Sequence, residues 1–165
     1  MDPTYQHAHE IIPGLWLGDY PASQDETFLR AHHIDAVFNC TKDIPFVPWV
    51  EHKYRVPVDD NLEEEEIRNL ELWAGEIALK IMHHYSAGHR ILVHCAAGRQ
   101  RSAASVAIFL IAYKRMRTEE VIPFIKSKRP VAFYPRPNFI KAIVGFDRRF
   151  QQDILPAITG LRITE

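Results

Sequence analysis

Cysteine is scarce: the 165 residues hold two, Cys40 and Cys95. Two thiols cannot staple a disulfide framework, and they suit a reducing compartment. Neither Cys-x-x-Cys nor His-x-x-x-His spacing occurs among the nine histidines. The adjacent pairs His32-His33 and His83-His84 therefore read as surface residues, and no metal ligand is assigned. Long hydrophobic runs are missing too. The longest, Ala103 to Tyr113, is too short to span a bilayer. Met1 to Glu10 is polar, without the apolar stretch of a signal peptide. No repeat, low-complexity segment or Pro/Gly/Ser-rich linker is visible, so one domain is expected over residues 1–165, with its core over about 11–150. The expected location is inside the cell, in cytoplasm or nucleus. What the chain does have is material for a core: 47% hydrophobic and 25% charged residues, which excludes disorder.

Net charge is small in sum, −1 from 20 basic and 21 acidic residues, but unevenly divided. Residues 1–87 hold 6 Lys/Arg and 16 Asp/Glu; residues 88–165 hold 14 and 5, giving −10 and +9. Either the halves interleave and neutralise each other, or the basic half carries an anion-handling surface.

Periodicity lays out the elements. Ile11-Ile12 and Leu15-Trp16-Leu17 flank Pro13-Gly14, a turn between short extended pieces. Ser23-Gln24-Asp25-Glu26 has capping-box spacing and predicts a short helix from there to about His32. Ala36-Val37-Phe38-Asn39 and Tyr54-Arg55-Val56-Pro57-Val58 read as strands, and the wholly apolar Ile91-Leu92-Val93 as the sheet centre. From Glu63 to Ala87, Ile67, Leu70, Trp73, Ala74, Ile77, Ile81 and Tyr85 make one helical stripe, with Glu63 to Glu66 in its first turn and Gly88 ending it. Ser102 to Arg117 is apolar almost all round, a buried helix with Lys114, Arg115 and Arg117 at its C-terminal end. Thr118 is placed to cap a helix to about Lys128, which Arg129-Pro130 breaks. Tyr134-Pro135-Arg136-Pro137 forms a rigid turn, and Asn138 is placed to cap a last helix to about Asp153. The tail from Ile154 to Glu165 holds apolar residues able to cover the core or a partner. Strands interleaved with helices, then helices alone, predict an α/β fold: a central, mostly parallel sheet flanked by helices.

The informative stretch is His94-Cys95-Ala96-Ala97-Gly98-Arg99-Gln100-Arg101-Ser102, between the central strand and the buried helix. A loop there aims backbone N–H groups and a helix N-terminus at one point, which makes an anion cradle. Gly98 supplies the backbone freedom such a loop needs. Arg101 can fold over the cradle and grip two phosphate oxygens. The same positive field favours the Cys95 thiolate, which beneath a bound phosphate is placed for in-line attack on phosphorus. Ser102 can hydrogen-bond the sulfur when it later leaves.

His-Cys, five intervening residues and Arg-Ser, with Gly98 among the five, resembles the signature of the cysteine-dependent protein tyrosine phosphatase superfamily. Five fixed positions at roughly one in twenty each match by chance in about one window in three million. Ile12-Pro13-Gly14-Leu15-Trp16-Leu17-Gly18 resembles the opening strand of the dual-specificity branch. Val56-Pro57-Val58-Asp59-Asp60-Asn61 resembles its general-acid loop, and Pro137-Asn138-Phe139 the Pro-Asn before its last helix. These landmarks run in order from about Ile11 to Phe150, and the length suits that compact branch.

The resemblance implies a compact dual-specificity phosphatase-like fold and a phosphomonoesterase that works without a cofactor. Its substrates would be phosphotyrosine and phosphoserine/threonine proteins, dephosphorylated through a phosphocysteine. It makes Cys95 the nucleophile, Arg101 the binder of phosphate and transition state, Ser102 the support of the leaving thiolate, and His94 a support of loop and thiolate. Ala96, Ala97, Gly98, Arg99 and Gln100 line the phosphate. The general acid and base aligns with Asp60, with Asp59 the near alternative. Asn138 ties the late loop to the cradle or only caps a helix. Cys40 is a buried core thiol or a redox partner of Cys95. Arg99 and Gln100 depart from the small or apolar residues common in protein-directed members. A basic residue at the Arg99 position is similar to the phosphoinositide- and inositol-phosphate-directed branches, so that substrate class stays open beside phosphoproteins. A catalytically silent binder of phosphorylated ligands is the reading from another class, against which stand Cys95, Arg101 and Asp60 together. Nucleic acid is not expected as a partner, since RNA 5′-triphosphatases usually carry a different loop. The sequence leaves oligomeric state open. The basic half contains the loop and the stretch from Lys126 to Arg136, and the acidic half contains Asp60 and the Glu run, which predicts a positive site with an acidic lip.

Overall fold

The computed structural model describes residues 4–160. Five strands, β1 (Ala8–Ile12), β2 (Leu15–Gly18), β3 (Ile34–Asn39), β4 (His52–Arg55) and β5 (Arg90–His94), form one sheet in the order β1-β2-β5-β3-β4. The pairs β2–β5, β5–β3 and β3–β4 run parallel. Edge strand β1 is antiparallel to β2 across the Pro13-Gly14 turn, where Gly14 takes φ +87. The sheet is therefore mixed and mostly parallel, as expected, and β5 lies at its centre.

Side chains along β5 alternate between two cores, the consequence of a strand buried on both faces. Ile91 and Val93 join Leu15, Leu17, Ala36 and Phe38 in the larger cluster; Leu92 joins Val37 in the smaller. The larger cluster is completed by α3 (Glu64–Ser86), α4 (Arg101–Tyr113), α5 (Thr118–Lys128) and α6 (Ile140–Arg149). The smaller is completed by Leu29 of α2 (Glu26–Ala31) and by Val47 and Val50. Buried residues fill α4 from Ser102 to Ile111, as its all-round apolarity requires.

Several ends differ from expectation. Ser23 is not the cap of a capping box. It lies buried inside α1 (Tyr20–Gln24), where its hydroxyl donates to the Tyr20 carbonyl at 2.7 Å, the local bond a helical serine finds when no free amide faces it. Asp19 caps α1 by accepting from the Ala22 amide at 3.0 Å, and Asp25 caps α2 by accepting from the Phe28 amide at 3.1 Å. Strand β4 ends at Arg55 rather than at Val58, before Pro57, which has no amide to give a ladder. Helix α4 stops at Tyr113, and Arg115 takes φ +56, so Lys114, Arg115 and Arg117 lie beyond its end. Thr118 opens α5 without capping it; Asp147 of α6 does so, accepting from the Thr118 amide at 2.9 Å and hydroxyl at 2.8 Å. Asn138 does not cap α6, which begins at Ile140 and passes into a π-helical segment (Phe150–Ile154) and then α7 (Leu155–Gly160). Ile154 and Leu155 pack against the larger core. The rest of that tail beyond residue 160, and residues 1–3 of the polar N-terminus, lie outside the described residues. Among the described residues no helix is long and apolar enough to cross a membrane.

Candidate active site

The loop from Cys95 to Gln100 joins β5 to α4. Its carbonyls are held from outside. Ala96 O accepts from the Tyr20 amide at 2.9 Å and Arg99 O from the Phe133 amide at 2.7 Å. Gly98 O accepts from Arg129 Nε at 2.9 Å and Ala97 O from Arg129 Nη2 at 3.4 Å. Because a peptide's N–H points opposite its C=O, drawing the carbonyls outward turns the amides inward. Gly98 takes φ +65, and a Cβ there would sit 2.6 Å from Gly18 O, so both conformation and space demand glycine.

The Cys95 thiol sits at the base of this cradle, 2% exposed, with Sγ 3.1 Å from the Ser102 hydroxyl. Burial pushes the thiol up. Hydrogen bonds from the Ser102 hydroxyl and amide, the Arg101 charge and the Gly98 amide more than offset this, leaving its pKa below the ordinary value. His94 is buried beside it with Nδ1 3.2 Å from the Cys95 carbonyl. Burial lowers its pKa to about 4, so at neutral pH it is an uncharged ring bonded to the loop backbone. Arg101 Nη1 donates to the Val58 carbonyl at 3.0 Å. Its Nε is buried and, among the described residues, has no partner. Such an atom is expensive to leave bare; an anion in the cradle would complete it.

Cys40 follows β3, and its amide donates to the His94 carbonyl at 2.8 Å, which puts it beside Cys95. Both are free thiols. Burial raises Cys40 to about 12, against a lowering bond from Ser105, so it stays protonated where Cys95 ionises.

The two candidate acids have separate surroundings. Asp59 is committed: its carboxylate pairs with Lys42 at 3.0 Å, and its amide donates to Glu66 at 2.8 Å. Asp60 is exposed, and its Oδ1 accepts from Asn138 Nδ2 at 2.9 Å. Asn138 is in turn fixed by its amide to Gln100 Oε1 at 2.9 Å. The structure thus links Asp60, Asn138 and the cradle in one chain of bonds. Gln100 is buried, and its Nε2 donates to the carbonyls of Tyr134 and Arg136. Its side chain therefore braces the loop against the 134–138 segment, which corrects its expected place lining the phosphate; only its backbone remains for that. Ala96, Ala97 and Arg99 are exposed at the cradle.

Two positioning residues escaped the sequence. Arg129 is 0% exposed. Besides the cradle carbonyls it binds Gln6 O at 3.0 Å and His9 Nδ1 at 2.8 Å. A basic residue before a proline carries no sign of such burial. Glu66 was expected to be one of a run complementing a helix dipole. It is instead buried and bonds both Lys42 and the Asp59 amide, with helical phase as its sole sequence signal. A groove of about 710 Å³ between α5 and α6 is lined by none of the cradle's residues. The His83-His84 pair is not all surface, since His84 is buried.

Comparison with known proteins agrees with this geometry. The family model for the dual specificity phosphatase catalytic domain matches residues 15–149. Dual specificity protein phosphatase 2 of Mus musculus is 35% identical over 131 residues, 79% of this chain and 39% of that protein. Dual specificity protein phosphatase 26 of Bos taurus is 30% identical over 161 residues, 90% of this chain and 71% of that one. The crystal structure of human DUSP28 superposes with a TM-score of 0.76 at 27% identity, covering 92% of this chain and 99% of that one. The chain belongs to the dual specificity phosphatase catalytic-domain family. It spans 39% of the length of the mouse phosphatase 2 and 44% of its human counterpart.

Proposed function

We propose that this chain is a cysteine-based phosphomonoesterase that removes phosphate from phosphotyrosine and phosphoserine/threonine in proteins. The observation that carries this reading is the cradle's state of readiness. Its thiol is lowered in pKa despite full burial, and the buried Arg101 Nε lacks a partner among the described residues. In the first step the Cys95 thiolate forms a bond to phosphorus while the bond to the leaving oxygen breaks, and Asp60 gives that oxygen its proton. Arg101 and the inward amides hold the charge that develops on the equatorial oxygens. In the second step the Asp60 carboxylate takes a proton from water, the water oxygen bonds to phosphorus, and the sulfur leaves as thiolate, accepting a hydrogen bond from Ser102. Phosphate and the starting enzyme result.

The test is hydrolysis of para-nitrophenyl phosphate in the presence of a chelator. Wild type turns over and Cys95→Ser loses all measurable turnover while still binding vanadate. Wild type no faster than Cys95→Ser overturns the reading and leaves a phospho-ligand binder.

A further inference from the structure

Histidine gathers away from the cradle. Among the described residues, His52, His84 and His89 form one group whose ligand-capable atoms all lie within 4.8 Å of one another. His52 opens β4, His84 lies in the last turn of α3, and His89 follows that helix. The turn between them is the cause. The His89 amide donates to the His84 carbonyl at 3.0 Å and the Gly88 amide to the Tyr85 carbonyl at 3.1 Å, with Gly88 at φ +86. That is a Schellman turn, which brings the residue after the glycine back onto the helix's last turn, usually as an apolar contact. Here both positions are histidine, with Nδ1 to Nδ1 at 2.7 Å. His52 stacks on His89 with ring centroids 4.8 Å apart and lies 4.6 Å from His84.

We propose that His52, His84 and His89 form a zinc-binding site, separate from the phosphatase site and independent of that reading. Three imidazoles are a zinc ligand set that leaves a fourth position for water. A tetrahedral ion with bonds of about 2.0–2.1 Å holds its nitrogens about 3.3 Å apart. The Nδ1 pair therefore opens by about half an ångström and His52 closes in, both by ring rotation. With zinc on His84 Nδ1, the Nε2–H donates a hydrogen bond to the Tyr54 hydroxyl, 2.6 Å away, the support that metal-bound imidazoles generally have. The local field suits a cation. A helix C-terminus faces the group, Asp35 acts on His84, and the Glu51 carboxylate is 3.8 Å from His52 Nε2. Opposing cations lie nearby: Lys80 is 6.0 Å from the Tyr54 ring, and Lys53 and Arg90 adjoin His52 and His89 in the chain.

The experiment uses the Cys95→Ser chain, which removes the thiolate as a competing zinc ligand. After chelator treatment the protein is titrated with Zn²⁺ against a chromophoric competitor, and with Co²⁺ read by its visible absorption. The expected result is one tight site per chain with tetrahedral Co²⁺ bands. Affinity falls about tenfold or more in His52→Ala and in His89→Ala, and is unchanged in His83→Ala. Both variants alter half-buried rings rather than the buried His84, and metal-free melting shows that they remain folded. At a hundredfold excess over Kd, zinc raises the melting midpoint by roughly 5 °C or more. No saturable site at micromolar zinc, or equal affinity in all variants, overturns the proposal and leaves a stacked imidazole cluster.

Discussion

Asp59 and Asp60 are neighbours in one loop, yet they have different partners. Asp59 is anchored by Lys42 and, through its amide, by Glu66. Asp60 holds its carboxylate toward Asn138, which is bonded to the cradle. Asp60→Asn is therefore expected to lower kcat by about 10²-fold or more and to flatten the alkaline limb of the pH–rate profile, because general acid catalysis contributes that order of rate. Asp59→Asn is expected to cost less than tenfold and to keep the limb; steady-state kinetics from pH 5 to 8 compare the two. Arg129 acts one layer behind. It holds the Gly98 carbonyl and the Ala97 carbonyl; the latter shares its peptide with the Gly98 amide, which is among the groups that lower the Cys95 thiol. Arg129→Lys keeps a charge but loses the fork that reaches several carbonyls at once. Its expected signature is an acid limb of kcat/KM moved upward by about half a pH unit or more; a role in stability alone lowers the melting point without moving that limb. Arg129→Ala is expected to lose about 3–5 kcal/mol, since each buried carbonyl left bare costs about 1–3 kcal/mol.

At the scale of elements, the junction of α5 with α6 is held by one carboxylate. Asp147, 4% exposed, accepts from the Thr118 amide and hydroxyl and pairs with Arg117. Burial would raise its pKa, and the Thr118 bonds with the Arg117 charge more than offset that, holding it below the ordinary range. A carboxyl depressed in the fold contributes stability above its unfolded pKa, about 4, which is lost as pH falls through the folded value. Asp147→Asn is therefore expected to cost about 1–2 kcal/mol at neutral pH. In urea melts its difference from wild type stays flat from pH 8 to 6 and closes below about pH 4. This cap also shows where sequence legibility ends. Strand β5, helix α3 and the loop after Cys95 were readable because apolar period and motif spacing are local properties. Thr118 looked like its own cap because the residue that caps α5 lies on another helix. Ser23 looked like a cap because spacing alone cannot tell it from Asp25. In the site, Cys95, Arg101 and Ser102 lie within one contiguous motif, whereas Arg129 and the buried side of Glu66 depend on contacts across the fold.

At the scale of the molecule, the unequal charge of the two chain halves is resolved by topology. β5 of the basic half lies between β2 and β3 of the acidic half, so the halves interleave. Pairs cross between them: Lys141 with Glu64 at 2.6 Å and Arg90 with Glu10 at 3.8 Å. These exposed pairs contribute little to stability, about 0–1 kcal/mol each. The cradle keeps positive charge of its own. The exposed Arg99 side chain has no partner among the described residues, and the buried Arg101 Nε of the same loop has none among them either. In physiological salt a surface charge reaches about 8 Å, so Arg99 can act on a second phosphate beside the one being cleaved but not on distant parts of a substrate. Arg99→Ala is accordingly expected to change kcat/KM for para-nitrophenyl phosphate less than about twofold. It is expected to lower kcat/KM about fivefold, on the order of 1 kcal/mol, for a substrate bearing two adjacent phosphates, tested as a doubly phosphorylated peptide and as an inositol bisphosphate. Raising the salt to about 0.5 M should shrink that difference, because screening shortens the reach of Arg99 below the spacing of the two phosphates. Equal losses on singly and doubly phosphorylated substrates would make Arg99 an outward-facing charge and return the choice of substrate to the shape of the cradle alone.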